Sequence, residues 1–98
     1  MELEVNTAEA LTLLPVDLSI AQIGHVVELL RQSQSTETHV ILDLSRCVDI
    51  DTAGLQLLVQ VTHNKLDVEL INPNQAVVEK VELLGLGDLI YFKSGDPS

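Results

Sequence analysis

Aromatic and basic side chains are both scarce in this sequence. Among 98 residues there is no Trp, one Tyr and one Phe, and Lys plus Arg number 5 against 15 Asp plus Glu, a formal charge of -10. The adjacent pair Tyr91 and Phe92 cannot build a base-stacking platform or an aromatic-lined ligand pocket, so the core has to be aliphatic. The acidic excess, with a pI near 4.3, argues against nucleic acid and anionic lipid as direct partners, because both require a basic patch that displaces counterions. A single cysteine, Cys47, excludes an internal disulfide, and with three scattered histidines it cannot anchor a Cys-rich zinc site. No metal and no cofactor is expected. No apolar run approaches the roughly 18 residues of a membrane span. Met1 is followed by Glu2 and Glu4 instead of a basic region and an apolar stretch, so a cytoplasmic location is expected. A Gly-rich phosphate loop, a Gly-x-Ser-x-Gly elbow and paired histidines at metal spacing are all missing, which leaves catalysis little to stand on.

What is present is aliphatic: hydrophobic residues make up 46% of the chain. A chain of this length buries roughly 60 to 70% of the surface that its unfolded form exposes, enough for one core and too little for two. No internal repeat or Pro/Gly/Ser-rich linker divides it, so a single domain over 1–98 is expected, with 1–9 and 95–98 as candidate loose ends.

Along the chain, Leu11 to Leu14 forms a short apolar run closed by Pro15, and Leu3 and Val5 are placed to add a preceding edge strand. Ile20, Ile23, Val26, Val27 and Leu30 recur at helical spacing, and Ser19 with Gln22 has the form of a capping box, which predicts a helix over 19–33. His39 to Leu44 is a near-continuous β-favouring run, expected to be a central strand buried on both faces. The stretch from Leu55 to His63 fits helix or strand when read alone, and the preceding Asp51 and Thr52 favour a helix start. Leu66, Val68 and Leu70 alternate with Asp67 and Glu69 as in a half-exposed strand, ended by Asn72-Pro73-Asn74. Val77, Val81 and Leu84 mark a last helix with Gly85 at its C-terminal position, and Leu89 to Phe92 a closing strand. Strands alternating with helices imply an α/β fold, a mixed, mostly parallel sheet of four to five strands with helices packed against it.

Chemistry gathers in one segment. Between the apolar strand and the next helix stand Asp43-Leu44-Ser45 and then Asp49-Ile50-Asp51-Thr52-Ala53-Gly54-Leu55, at the kind of strand-to-helix edge where α/β proteins place function. The apolar strand running into Asp43-Leu44-Ser45, the spacer, and Asp51-Thr52-Ala53-Gly54-Leu55 opening a helix resemble the STAS domain of sulfate transporters and anti-sigma factor antagonists. The later stretch of Leu84-Gly85-Leu86 into Leu89-Ile90 is also similar to the family, and the likeness covers 11–92. In that family the hydroxyl residue directly after the Asp is phosphorylated by a partner kinase. Carried over, the resemblance implies phosphorylation at Thr52, where many members have Ser, and a partner-binding surface at Asp49, Asp51, Thr52, Ala53, Gly54 and Leu55. It implies a non-enzymatic phospho-switch: the unphosphorylated protein binds a kinase-type anti-sigma factor, a serine/threonine kinase, phosphorylation releases it, and a PP2C-type phosphatase resets the cycle. The alternative is a constitutive accessory subunit docked on the ATPase of an ABC-type lipid transporter.

Structural roles compete at each of these positions. Thr52 as a simple helix cap is worth about 1 kcal/mol against Ala. Asp51 suits a helix-dipole carboxylate as well as a partner contact, Asp43 a local backbone acceptor, and Asp49 a solvated loop acid. Gly54 costs up to about 1 kcal/mol in a helix, so close packing or close partner approach is its expected reason. Cys47 reads as a packed reduced thiol, and His25, His39 and His63 as ordinary surface or interface histidines with no acidic partner pattern. Phosphoacceptor chemistry on Asp43, Asp49 or Asp51 with Mg²⁺, as in a receiver domain, is disfavoured because the early strand lacks the adjacent acidic pair that would share the metal.

Overall fold

The computed structural model describes residues 4–6, 10–64 and 67–93. In chain order the elements are β1 (Glu4–Asn6), β2 (Ala10–Leu13), β3 (Asp17–Leu18), α1 (Ile23–Ser35), β4 (His39–Asp43), β5 (Asp49–Ile50), α2 (Thr52–His63), β6 (Val68–Ile71) and α3 (Gln75–Leu83). The main sheet has the order β1-β2-β4-β6, and β3 pairs with β5 in a separate two-stranded ladder. β2, β4 and β6 run parallel, with α1 and α2 as their crossovers, and β1 lies antiparallel on β2. The mixed, mostly parallel sheet is thus present, and β1 makes residues 4–6 part of it. Leu3, Leu66 and residues 95–98 lie outside the described residues.

Register decides which face of the sheet is core. Leu11, Val40 and Val68 align across the strands, as do Leu13, Leu42 and Leu70, and most of these side chains are buried. They join one aliphatic cluster with Val26 and Leu30 of α1, Leu55, Leu58 and Val61 of α2, Val77 and Val81 of α3, and Ile90. The alternate positions, His39, Ile41 and Asp43 of β4 with Thr12, Glu69 and Ile71, are only half-buried. The expected strand buried on both faces is therefore buried on one, because the helices sink their apolar stripes into the same cluster as Val40 and Leu42.

Two helix starts differ from expectation in opposite ways. α1 begins four residues after Ser19: Gln22 is its N-cap, without a side-chain capping bond, and Ile20 is 73% exposed. Asp17 captures the Ser19 N–H at 2.7 Å, and the Ser19 carbonyl closes a turn with Gln22 and Ile23, so the Ser19–Gln22 pair ends β3 in place of capping α1. α2 starts where its Asp and Thr indicate, and its helical reading is settled by burial of Leu55, Leu58 and Val61 on one stripe.

Two of the helix ends, those of α1 and α3, share one device. At α3 the Leu86 N–H bonds the Val81 carbonyl at 2.9 Å and the Gly85 N–H bonds Glu82 at 3.1 Å, with Gly85 at φ 68°, a Schellman motif. α1 closes with the same pair, Thr38 to Ser33 and Glu37 to Gln34, but with Glu37 at φ 56° in the left-handed position. The expected last strand over 89–92 does not form. Leu89 closes a turn on Leu86, and the Tyr91 N–H bonds the Thr62 hydroxyl at 3.1 Å, so only Lys93 reaches the sheet, through a single bridge to Ile71.

Candidate functional site

β4 ends at Asp43, whose carboxylate accepts the Ser45 N–H at 2.9 Å, the local backbone role expected of it. Leu44 and Cys47 turn inward and are fully buried, while Val48 is 60% exposed. Burial pushes the Cys47 thiol up to about 11, which makes it an unreactive packing group. Asp49 then sits exposed at the start of β5, paired in register with Asp17 of β3, so it belongs to a short ladder and not to a free loop. The Lys80 ammonium of α3 donates to the Ile50 carbonyl at 3.2 Å and ties the last helix to this ladder.

Asp51 is the keystone. As N-cap of α2 its Oδ1 accepts the Ala53 and Gly54 N–H groups at 3.0 and 3.3 Å, and its Oδ2 accepts the Ile20 N–H at 2.9 Å across 31 residues of sequence. The Ile20 N–H above all, helped by those of Gly54 and Ala53, holds the Asp51 carboxyl below its ordinary value. The sequence motif alone shows no part for Ile20, whose apolar side chain fitted the helical pattern; the contact comes from its backbone and depends on β3 lying beside β5.

Thr52 is the first residue of α2 and is exposed, and among the described residues its hydroxyl has no protein partner. The cap role belongs to Asp51 and not to Thr52. Because Asp51 already takes the Ala53 and Gly54 donors, the helix start does not offer a phosphate on Thr52 an open cradle of N–H groups. Such a phosphate would meet the negative charges of Asp51 and Asp49 instead.

Gly54 serves packing. A Cβ there would lie 2.2 Å from the Leu18 carbonyl oxygen and 2.8 Å from the Ile50 side chain, so the glycine lets α2 seat directly on β3 and β5. It is buried, and of the two reasons expected for a glycine here, this close packing is the one that the geometry displays. Ala53 is half-buried, and Leu55 is 1% exposed.

Leu55 floors a groove of about 530 Å³ that runs from Thr52 along Gln56, Val59 and Gln60 of α2 and is walled by Leu84, Leu86 and Leu89 after α3. Leu84 and Leu89 are each about half exposed, and Leu83 beside them is 78% exposed. A helix-start hydroxyl, two aspartates and an aliphatic trough therefore share one end of the molecule. Leu86 packs in part against the core. The Schellman turn at Gly85 swings Leu84 outward.

No helix among the described residues is long and apolar enough to cross a membrane. The comparison with curated proteins found no match. Among solved structures, the chain is similar to the anti-sigma factor antagonist SpoIIAA in its unphosphorylated form, with a TM-score of 0.58 and 22% identity over 98% of this chain and 88% of that one, a likeness of fold. The STAS domain model matches residues 4–96, and the chain belongs to the STAS domain family.

Proposed function

We propose that the chain, as one domain over 1–98, is a non-enzymatic docking module of the anti-sigma factor antagonist kind. It binds a kinase-type anti-sigma factor or related regulator while Thr52 is unphosphorylated and releases it on phosphorylation, with a PP2C-type phosphatase restoring the first state. The observation that carries this reading is the exposed Thr52 hydroxyl, without a partner among the described residues, at the mouth of an aliphatic groove. A SpoIIAA-like fold supports the same direction. The partner lays apolar side chains between α2 and Leu84, Leu86 and Leu89, and meets Asp49 and Asp51 with basic groups, so binding weakens as salt rises.

Phosphate at Thr52 adds roughly -1.5 to -2 charges where the nearest backbone donors are already taken by Asp51. With those donors taken, the switch acts on the interface by bulk, repulsion and desolvation. Thr52→Glu is expected to keep the denaturation midpoint of the parent and to lose about 3 kcal/mol of partner binding, roughly a hundredfold. Thr52→Ala binds as the parent does. Titration calorimetry against the partner that co-purifies from native cells, with phosphopeptide mapping of the same material, checks both.

A constitutive subunit on the ATPase of an ABC-type lipid transporter is the second reading. The filled N–H donors favour it, because the docking surface is complete without phosphate. Tight binding by both Thr52 variants, with an ATPase and its permease as the co-purifying proteins, would decide for it.

A further inference from the structure

The other end of β4 carries an arrangement of a different kind. His39, the first residue of β4, has a carboxylate on each ring nitrogen: Asp67 Oδ1 is 2.6 Å from Nδ1, and Glu69 Oε2 is 2.5 Å from Nε2. Both oxygens belong to groups that accept and do not donate when ionised, so the two contacts are hydrogen bonds together only if the imidazole holds two protons. The other oxygen of Glu69 is taken by the Lys93 ammonium at 2.6 Å. Lys93 in turn reaches the sheet through its own N–H on the Leu70 carbonyl, at 2.7 Å.

We propose that His39, Asp67, Glu69 and Lys93 form a proton-operated clasp that pins Asp67 and the start of β6 to β4, closed while the His39 ring carries both protons. A neutral ring presents one N–H and one lone pair, so loss of the proton turns one of the two carboxylate contacts into a repulsion. Among the described residues, the neighbours on the other sides of His39 bring no further charge to it. Ala10 of β2 faces it in register without charge, and before it Thr38 and Thr36 are occupied with each other at 2.8 Å. Glu37 is exposed, and no interaction of its side chain with His39 is present among the described residues.

The direction of the effect follows from the same contacts. Asp67 first and then Glu69 raise the His39 pKa from its ordinary 6.5, so the clasp contributes stability that is complete below 6.5 and is lost as pH rises through the raised value. Lys93 first and then His39 lower the Glu69 pKa from its ordinary 4.5, so the share that Glu69 contributes is lost as pH falls through that lowered value. The clasp is therefore tight in mildly acidic to neutral solution and opens toward alkali. Because Glu69 is shared with Lys93, Asp67 exerts the stronger hold on the ring.

Two-bond ¹H–¹⁵N spectra of the imidazoles across pH test the proposal on the unmodified protein. The expected result is a doubly protonated His39 that persists above pH 6.5, with a midpoint lowered in Asp67→Asn and lowered less in Glu69→Gln. Amide protection at Val40 and over 67–71, taken relative to the intrinsic exchange rate at each pH, should fall as His39 titrates, and the melting midpoint should fall by a few degrees over that range. His39→Gln should flatten both profiles. A His39 that titrates at or below 6.5, or amide protection at Val40 and over 67–71 that ignores its titration, would overturn the clasp. Neither readout depends on Thr52 or on any partner.

Discussion

The two ends of β4 handle charge in opposite ways. At the Asp43 end, carboxylates are satisfied mainly by backbone: Asp51 takes three N–H groups, Asp43 takes one from Ser45 and a longer contact from the Asn72 amide, and among the described residues no side-chain cation meets Asp51. At the His39 end, carboxylates are satisfied by side chains, His39 and Lys93. Backbone donors never lose their protons, so the first end fails only when the acid itself is neutralised. The Asp51 pKa is lowered from its ordinary 3.8, so its contribution is present above 3.8 and disappears as pH falls through the lowered value. The second end fails in the other direction, when His39 gives up a proton. Acid loosens the Thr52 end, alkali loosens the clasp, and near neutrality Asp51 keeps its three N–H partners at the helix start.

The contrast can be broken hardest at Gly54. Gly54→Ala gains up to about 1 kcal/mol of helix propensity, yet its methyl would stand 2.2 Å from the Leu18 backbone oxygen, which cannot rotate away. A net loss of about 2 kcal/mol or more is expected, since overpacking of a filled contact commonly costs 1–3 kcal/mol. Urea denaturation measures it. A neutral or stabilising Gly54→Ala would mean that α2 does not seat on β3.

Asp51→Ala comes next. It removes the acceptor for three N–H groups at once, and the denaturation midpoint should fall by less than for Gly54→Ala. The sharper signature is in pH: the acid limb of the stability profile should flatten relative to the parent, while the alkaline limb belonging to His39 stays. Thermal melts between pH 3 and pH 9 separate the two ends.

Leu84→Ser and Leu89→Ser should have the smallest effect on folding, within about 0.5 kcal/mol, because both side chains are about half exposed. They sharpen the comparison from the functional side. Partner binding should weaken several-fold with the midpoint unchanged, as measured by calorimetry beside urea melts. Binding that ignores both leucines would remove the groove from the docking surface.

Much of this fold is legible in the chain because its signals are local. Asp51-Thr52 announces α2, Gly85 announces the end of α3, and the alternation around Val68 and Leu70 announces β6. Failures occur where a local signal has two outlets. Ser19 and Gln22 match a capping box, but Asp17, two residues earlier, captures the Ser19 N–H first. Glu37 ends α1 in the conformation that Gly85 adopts at α3, at a cost that a left-handed non-glycine residue bears and no sequence pattern reveals. Leu89 to Phe92 has strand composition, yet its backbone partners are a turn and a threonine hydroxyl.

The sequence by itself determined an aliphatic α/β domain with its chemistry between a strand and a helix, because hydrophobic period, caps and turn residues act within a few positions of one another. It also singled out Thr52, since a hydroxyl after Asp at a helix start is a local pattern. Only the tertiary structure decided what surrounds that hydroxyl. The Ile20 N–H on Asp51, the Leu18 carbonyl against Gly54 and the groove wall at Leu84, Leu86 and Leu89 join segments about 30 residues apart. The clasp at His39 is of the same origin: β4 and β6 are neighbours in the sheet although a whole helix separates them along the chain. Such contacts arise from strand pairing and packing, where the free energy depends on burial and register and not on the order of residues in the chain.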